Sequence, residues 1–136
     1  MSSGFSFSRR SLNSLNGVHP DLVRVVHLAL SLTPVDFVVI EGLRDIKRQR
    51  ELMKIGATRT LNSRHLTGHA IDIAAWENGT VSWHWPLYKE MSVAFKSAAE
   101  QLSVPIVWGG DWRSFRDGPH YELNRKFYPA VTKTEK

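Results

Sequence analysis

The sequence predicts an α+β domain, a small and largely antiparallel sheet flanked by about three helices. Three observations carry that prediction. Apolar stripes of helical period alternate with short runs rich in β-branched residues. The turn signals at Asn78-Gly79 and Gly109-Gly110 join neighbouring segments too tightly for parallel crossovers. At 136 residues and 42% hydrophobic, the chain is of one-domain size and has enough apolar mass for a core without staples. No repeat or linker divides it, so residues 1–136 are expected to fold as one unit.

Residues 1–14 are rich in Ser, carry Phe5 and Phe7 and lack a helical period; they read as an irregular arm that docks its rings on the core. Pro20 suits a first helical turn and Asp21 the positive end of the dipole. From there Leu22, Val25, Val26, Ala29 and Leu30 form one apolar stripe that Thr33-Pro34 ends. Phe37-Val38-Val39-Ile40, closed by Glu41-Gly42, is a buried strand. Asp45 is placed to cap a basic helix in which Ile46, Arg50 and Met53 share a face, with Gly56 as its stop. Thr58 to Arg64 is a polar loop, and Ala70 to Ala74 alternate as a strand whose Asp72 points away from Ile71 and Ile73. Beyond Trp83-His84-Trp85-Pro86, the spacing of Leu87, Met91, Ala94, Phe95, Ala98 and Leu102 predicts a third helix of about four turns. Pro105 to Trp108 and Pro119 to Leu123 are short strands, and residues 132–136 are a polar tail.

Composition narrows the chemistry. With no cysteine there is no disulfide, thiolate nucleophile or Cys-based zinc site, so any metal must use His, Asp or Glu. No stretch approaches the ~18 apolar residues of a membrane span, and the N-terminus, despite Arg9 and Arg10, lacks an apolar run of signal-peptide length. A soluble protein made in the cytosol is expected. Lys and Arg outnumber Asp and Glu by 18 to 13, a net +5 that attracts polyanions such as nucleic acid, anionic wall polymer or lipopolysaccharide. Seven of the basic residues lie between Arg44 and Arg64, opposed only by Asp45 and Glu51; a solvated helix face explains them equally well.

The chemistry-bearing segments are Ser63-Arg64-His65-Leu66-Thr67-Gly68-His69-Ala70-Ile71-Asp72 and, 45 residues beyond Asp72, Asp117-Gly118-Pro119-His120-Tyr121-Glu122. Two imidazoles and a carboxylate can hold one zinc ion and leave a position open to water, the arrangement of a catalytic site. The spacing of His65 and Asp72 is wrong for one helical face but natural for a loop ligand and a ligand on the following strand. Gly68 lets the backbone bend between them. For either residue alone, a surface His or a salt-bridged Asp is the better reading. His69 stands four residues after His65, yet the intervening residues lack the Glu of H-E-x-x-H and Gly68 opposes a helix. It reads as a surface or supporting residue, and His19, His27 and His84 have no metal context. All five tryptophans, Trp76, Trp83, Trp85, Trp108 and Trp112, fall in the second half. Core packing is expected for Trp108, whereas Trp85 and Trp112 are candidates to line a groove for sugar or peptide.

The string S-x-H-x-x-G-x-A-x-D, with Ser63, His65, Gly68, Ala70 and Asp72 in its fixed positions, resembles the M15 family of zinc D,D- and L,D-peptidases. The resemblance extends through Val39 to Gln49, with Gly42-Leu43-Arg44 and then Gln49. It continues to Trp108-Gly109-Gly110-Asp111-Trp112, followed by Asp117 and His120, and so spans most of the chain. In size and in the Leu12 to Leu30 segment the chain resembles phage endolysins of the L-alanyl-D-glutamate peptidase type. The resemblance implies that His65, Asp72 and His120 bind one Zn2+, that Asp117 is the catalytic acid/base, and that Arg44 assists substrate binding or polarisation. It also implies the fold shared by D-Ala-D-Ala carboxypeptidases and the hedgehog signalling domain. Across the family Glu is commoner than Asp at the base position, so Asp117 fits the endolysin branch better than the carboxypeptidase branch.

The residue chemistry points the same way. Asp117, three residues before His120, can share the cavity from a loop without being a ligand. Glu122 lies on the same strand face as His120, as a rival base or as a partner that orients an imidazole. Arg44 can clamp a substrate carboxylate or stabilise an oxyanion; its competing role is a structural pair with Asp45 or Glu41. Gln49, Ser63 and Trp112 are further candidates for support or substrate contact. The expected function is a zinc-dependent phage endolysin that cleaves the L-alanyl-D-glutamate bond of the peptidoglycan stem peptide. It is expected to act as a monomer, drawn by charge to anionic envelope polymers, after release from the host cytoplasm through a pore made by another protein. Within the class, the alternative is a D-alanyl-D-alanine carboxypeptidase. Outside it stand a non-catalytic zinc-binding protein of the hedgehog kind and a nucleic-acid-binding module, for which no specific motif is present.

Overall fold

The computed structural model describes residues 3–58, 60 and 63–129; the polar tail expected at 132–136 lies outside the described residues. In chain order the elements are α1 (Arg9–Ser14), α2 (Pro20–Leu32), β1 (Phe37–Glu41), α3 (Ile46–Lys54), β2 (Ala70–Glu77), β3 (Thr80–Ser82), α4 (Trp85–Leu102), β4 (Ile106–Trp108) and β5 (His120–Leu123). Short 3-10 turns occupy Arg64–Thr67 and Gly109–Asp111. Every strand pair is antiparallel, in the order β1-β2-β5-β4 with β3 beside β2. This is the expected α+β architecture, with a fourth helix and a fifth strand added.

Period-two alternation gives the sheet one face for the core and one for chemistry. Phe37, Val39, Ile71, Ile73, Ala75, Trp108, Tyr121 and Leu123 are buried together with the α2 stripe and with Met91, Phe95 and Ala98 of α4. Each large apolar side chain withdrawn from water in this way contributes about 1.5–3 kcal/mol. The opposite face carries Asp72 across from His120, with Glu122 two residues on. Glu41 would point into the core if β1 kept its register. Instead the register slips between Val39 and Glu41, which brings Glu41 opposite Asp72 and onto the chemical face.

The structure departs from the sequence expectations in four places. Residues 9–14 of the supposed irregular arm form α1, because Ser8 caps it by accepting from the Ser11 amide at 3.1 Å. Ser11, fully buried, accepts from the Val39 amide at 3.0 Å and so ties α1 to β1. A cap and a tertiary hydrogen bond therefore replace the missing apolar period. Phe5 and Phe7 do pack against the core, Phe7 with its ring 5.9 Å from that of Phe37.

The face of α3 that packs is Gln49 and Leu52; Ile46, Arg50 and Met53 are exposed. The Asp45 cap and the left-handed Gly56 are where the sequence puts them. Asn78 and Gly79 both adopt positive φ, the signature of a tight hairpin turn, and the turn extends β2 into β3. Helix α4 begins at Trp85, two residues earlier than its apolar spacing indicates. The hydroxyl of its buried Tyr88 donates to Ser82 O at 2.7 Å and accepts from the Ala75 amide at 3.0 Å, pinning that hairpin to the helix. Finally, two of the seven clustered basic residues, Arg44 and Arg64, are buried against carboxylates rather than spread on a solvated helix face.

Among the described residues the Tyr121 hydroxyl is a core group without a partner. The Tyr121 ring stacks on Phe95 with centroids 3.9 Å apart, and its buried hydroxyl makes no hydrogen bond among the described residues. An unsatisfied buried hydroxyl costs about 1–3 kcal/mol. Tyr121→Phe is expected to leave the fold intact and raise stability by about 1 kcal/mol, measured by denaturant unfolding; a loss of stability would show that the hydroxyl has a partner.

Candidate metal centre

The residues of the S-x-H-x-x-G-x-A-x-D string have separate structural tasks. Ser63 caps the Arg64–Thr67 turn by accepting from the His65 amide at 3.2 Å. Gly68 ends the turn in the left-handed region at φ +75, and a Cβ there would collide with the Gly17 carbonyl. Ala70 is fully buried at the start of β2, and Asp72 follows two residues later on the open face of the sheet. The turn delivers one group and the strand the other.

His65, Asp72 and His120 converge, each offering a donor atom within 4.8 Å of the others. The His65 Nδ1 lies 2.8 Å from the Gly42 carbonyl, which can only accept, so Nδ1 carries the proton. Its buried Nε2 then presents a lone pair, has no hydrogen-bond partner, and faces Asp72 Oδ2 at 3.3 Å. An imidazole lone pair aimed at a carboxylate oxygen is satisfied by a shared cation, either a proton or a metal ion in its place. The His120 Nε2 donates to Glu122 Oε1 at 2.9 Å, which leaves Nδ1 directed at Asp72 Oδ1, 3.1 Å away. The donor set of two imidazole nitrogens and one carboxylate oxygen fits a divalent transition metal with an open coordination position.

The charges reinforce one another. Burial would raise the Asp72 carboxyl, but His120 and His65 outweigh it and hold Asp72 far below the usual carboxylate range. Among the protein groups alone, burial would lower His120, yet Asp72 and Glu122 push it up to about 9, so a bound metal would replace the proton on Nδ1. Asp117 behaves oppositely: burial first, then the nearby charge of Asp72, raise its carboxyl above the ordinary value, against the pull of His120, His65 and Arg44.

Asp117 reaches the site through backbone geometry. Its amide donates to Gly109 O at 3.0 Å, and its carbonyl accepts from the His120 amide at 3.2 Å. A Cβ on Gly109 would collide with the Asp117 carbonyl and crowd the Cβ atoms of Asp117 and His120, both at 3.1 Å. Gly109 is therefore the floor on which the two side chains stand side by side. The Trp112 ring lies 5.2 Å from that of His120 and walls the site. Trp108 is in the core as expected, its indole donating to Gly118 O at 2.8 Å. Half-exposed Trp85 stacks on Trp108 beside Gly118. His69 is partly buried against Thr67 and His19, outside the cluster.

Arg44 is held in the structural pair that competes with its substrate role. Its Nε and Nη2 engage both oxygens of Glu41 at 2.8 Å, and Nη1 donates to Gln49 Oε1 at 2.7 Å. Only an edge remains toward Asp72, with Nη2 3.6 Å from Oδ2. Gln49, fully buried, also donates to Thr60 O at 2.5 Å and so ties α3 to Thr60 rather than facing the metal group. Sequence reasoning overlooked Arg64, which is buried, donates to Leu123 O at 2.9 Å and Tyr128 O at 2.8 Å, and lies 3.7 Å from Glu122. Its place inside a basic run disguised it as a surface charge.

The pattern of phage L-alanyl-D-glutamate peptidases matches residues 3–132. The chain belongs to this family. The peptidase is 32% identical over 132 residues to the L-alanyl-D-glutamate peptidase of Escherichia phage T5, covering 91% of this chain and 93% of that one. It is 33% identical over 106 residues to the peptidoglycan L-alanyl-D-glutamate endopeptidase CwlK of Bacillus subtilis (strain 168), covering 65% of this chain and 61% of that relative. The crystal structure of the L-Ala D-Glu endopeptidase ChiX of Serratia marcescens aligns with a TM-score of 0.86 at 50% identity, over 91% of this chain and 93% of ChiX. Fold and family thus agree with what the motif implies.

Proposed function

We propose that the peptidase hydrolyses the L-alanyl-D-glutamate bond of the peptidoglycan stem peptide with one zinc ion held by His65 Nε2, Asp72 and His120 Nδ1. The observation that carries the metal is the buried, unpartnered His65 Nε2 aimed at the Asp72 carboxylate. Zinc suits three N/O ligands with an open position; bound there, it would lower the pKa of a water to ~7 and polarise the scissile carbonyl.

Asp117 is the acid/base. Its raised carboxyl is suited to accept a proton from the attacking water and return it to the D-Glu nitrogen as the C–N bond breaks. Glu122 is the poorer base, because it is buried and committed to His120, 3.4 Å from Arg125 and 3.7 Å from Arg64. Its task is to fix the His120 ring with Nδ1 forward. Glu122→Gln is therefore expected to weaken metal binding by about 10–100-fold while the bound enzyme still turns over, as read by chelator competition; loss of turnover at full metal occupancy would make Glu122 the base. Arg44 positions Asp72 from behind, and Trp112 walls the substrate side.

Delivery follows from the endolysin reading: synthesis in the host cytoplasm, then passage to the wall through a separate pore. Among the described residues no helix is long and apolar enough to cross a membrane. The exposed Lys47, Arg48, Arg50 and Lys54 on α3 support attraction to anionic envelope polymers. Mass spectrometry of digested peptidoglycan tests the choice of bond. Released peptides beginning at D-Glu are expected, whereas loss of terminal D-Ala alone would make the enzyme a carboxypeptidase.

A further inference from the structure

We propose that Arg125 reads the free α-carboxylate of the D-Glu residue, from the rim of a cavity that adjoins the metal centre; this rests on the endopeptidase reading above. The cavity, about 440 Å³, is lined by Val107, Trp112, Glu122, Asn124 and Arg125. Two of these touch a metal-site residue directly. The Trp112 ring lies 5.2 Å from that of His120, and Glu122 accepts from His120 at 2.9 Å. Arg125 is one step further out, with Nε 3.4 Å from Glu122 Oε2.

The contrast with Arg44 singles out Arg125. Arg44 is 6% exposed at its side chain and has every guanidinium nitrogen engaged by Glu41, Gln49 or Ser63. The Arg125 side chain is 66% exposed, and its terminal nitrogens have no partner among the described residues. Glu122 does not cancel the charge, because Arg64 also pairs with it at 3.7 Å. One Glu between two guanidiniums leaves the rim positive, and a planar guanidinium with free nitrogens is suited to grip a carboxylate.

The substrate supplies that carboxylate at the required place. In a stem peptide the scissile nitrogen is attached to the α-carbon of D-Glu, while the chain continues through the γ-carboxyl group. The α-carboxylate therefore branches off one atom beyond the broken bond. Three bonds of about 1.3–1.5 Å each separate the attacked carbon from the carboxylate carbon, so with a charge-assisted hydrogen bond of about 2.8 Å a guanidinium contact falls within roughly 7 Å of the attacked carbon. Arg125 stands at the rim two contacts beyond the metal group, through Glu122 and His120, in a cavity whose Trp112 and Val107 offer apolar walls for the γ-linked methylenes.

The test compares two muropeptides that differ only in whether this group is a free acid or an amide. Wild-type enzyme is expected to favour the acid by about tenfold or more in kcat/KM. In Arg125→Gln the ratio should collapse toward one, and in Arg125→Lys it should largely return. The same ratio is to be read as binding affinity on Asp117→Asn protein by NMR titration, where no turnover is needed. No preference in the wild type, or an unchanged ratio in Arg125→Gln, would overturn the assignment. Cleavage at a different bond, with the acid preference and its dependence on Arg125 intact in binding, would instead count against the choice of bond and leave the carboxylate site standing.

Discussion

His120→Ala is expected to abolish metal binding and lower activity by on the order of 10³ or more, because a metal Lewis acid contributes several kcal/mol to the transition state. The ring bridges two carboxylates, with Asp72 on Nδ1 and Glu122 on Nε2. Its removal takes one ligand and leaves Glu122 buried without its imidazole, so some stability is lost as well. A fall in activity alone would not separate these effects. Thermal unfolding with added zinc does. Zinc at about 100 times its Kd stabilises a protein that binds it by about 2.7 kcal/mol, so wild-type Tm should rise while that of His120→Ala stays fixed. His65→Ala, whose Nδ1 is anchored on Gly42, should behave alike. A zinc-dependent rise in Tm in either variant would place the ion elsewhere.

Asp117→Asn is expected to retain zinc with near-normal affinity and lose turnover by about 10²–10⁴, the range for removing a positioned general base. Asparagine keeps the shape of the side chain, and the backbone contacts to Gly109 and His120 do not involve the carboxylate. The metal-dependent Tm shift should thus persist while kcat falls. Near-normal turnover in this variant would pass the role of base to Glu122.

Much of this centre was legible in the sequence because its pieces obey local rules. The α2 stripe, the Asp45 cap, the Asn78-Gly79 turn and the period-two placement of Asp72 each follow from a few neighbouring residues. The convergence of His65, Asp72 and His120 was legible only through the motif that joins them, since β5 lies beside β2 by a long-range pairing. What stayed hidden depends on tertiary context. Helix α1 is secured by Ser11 reaching Val39, and Glu41 faces the site only because β1 slips its register. Arg64 looked like one more charge of the basic run but is buried against Glu122, and Arg44, singled out for the substrate, is engaged by both oxygens of Glu41.

The most direct measurement is zinc reconstitution. Enzyme stripped by a chelator is titrated with zinc while release of peptides beginning at D-Glu is followed from purified peptidoglycan. Activity should be lost on stripping, rise in proportion to added zinc and level off at one ion per chain, with no recovery in His120→Ala. Full activity in metal-free enzyme, or a plateau that His120→Ala also reaches, would contradict a catalytic zinc at His65, Asp72 and His120.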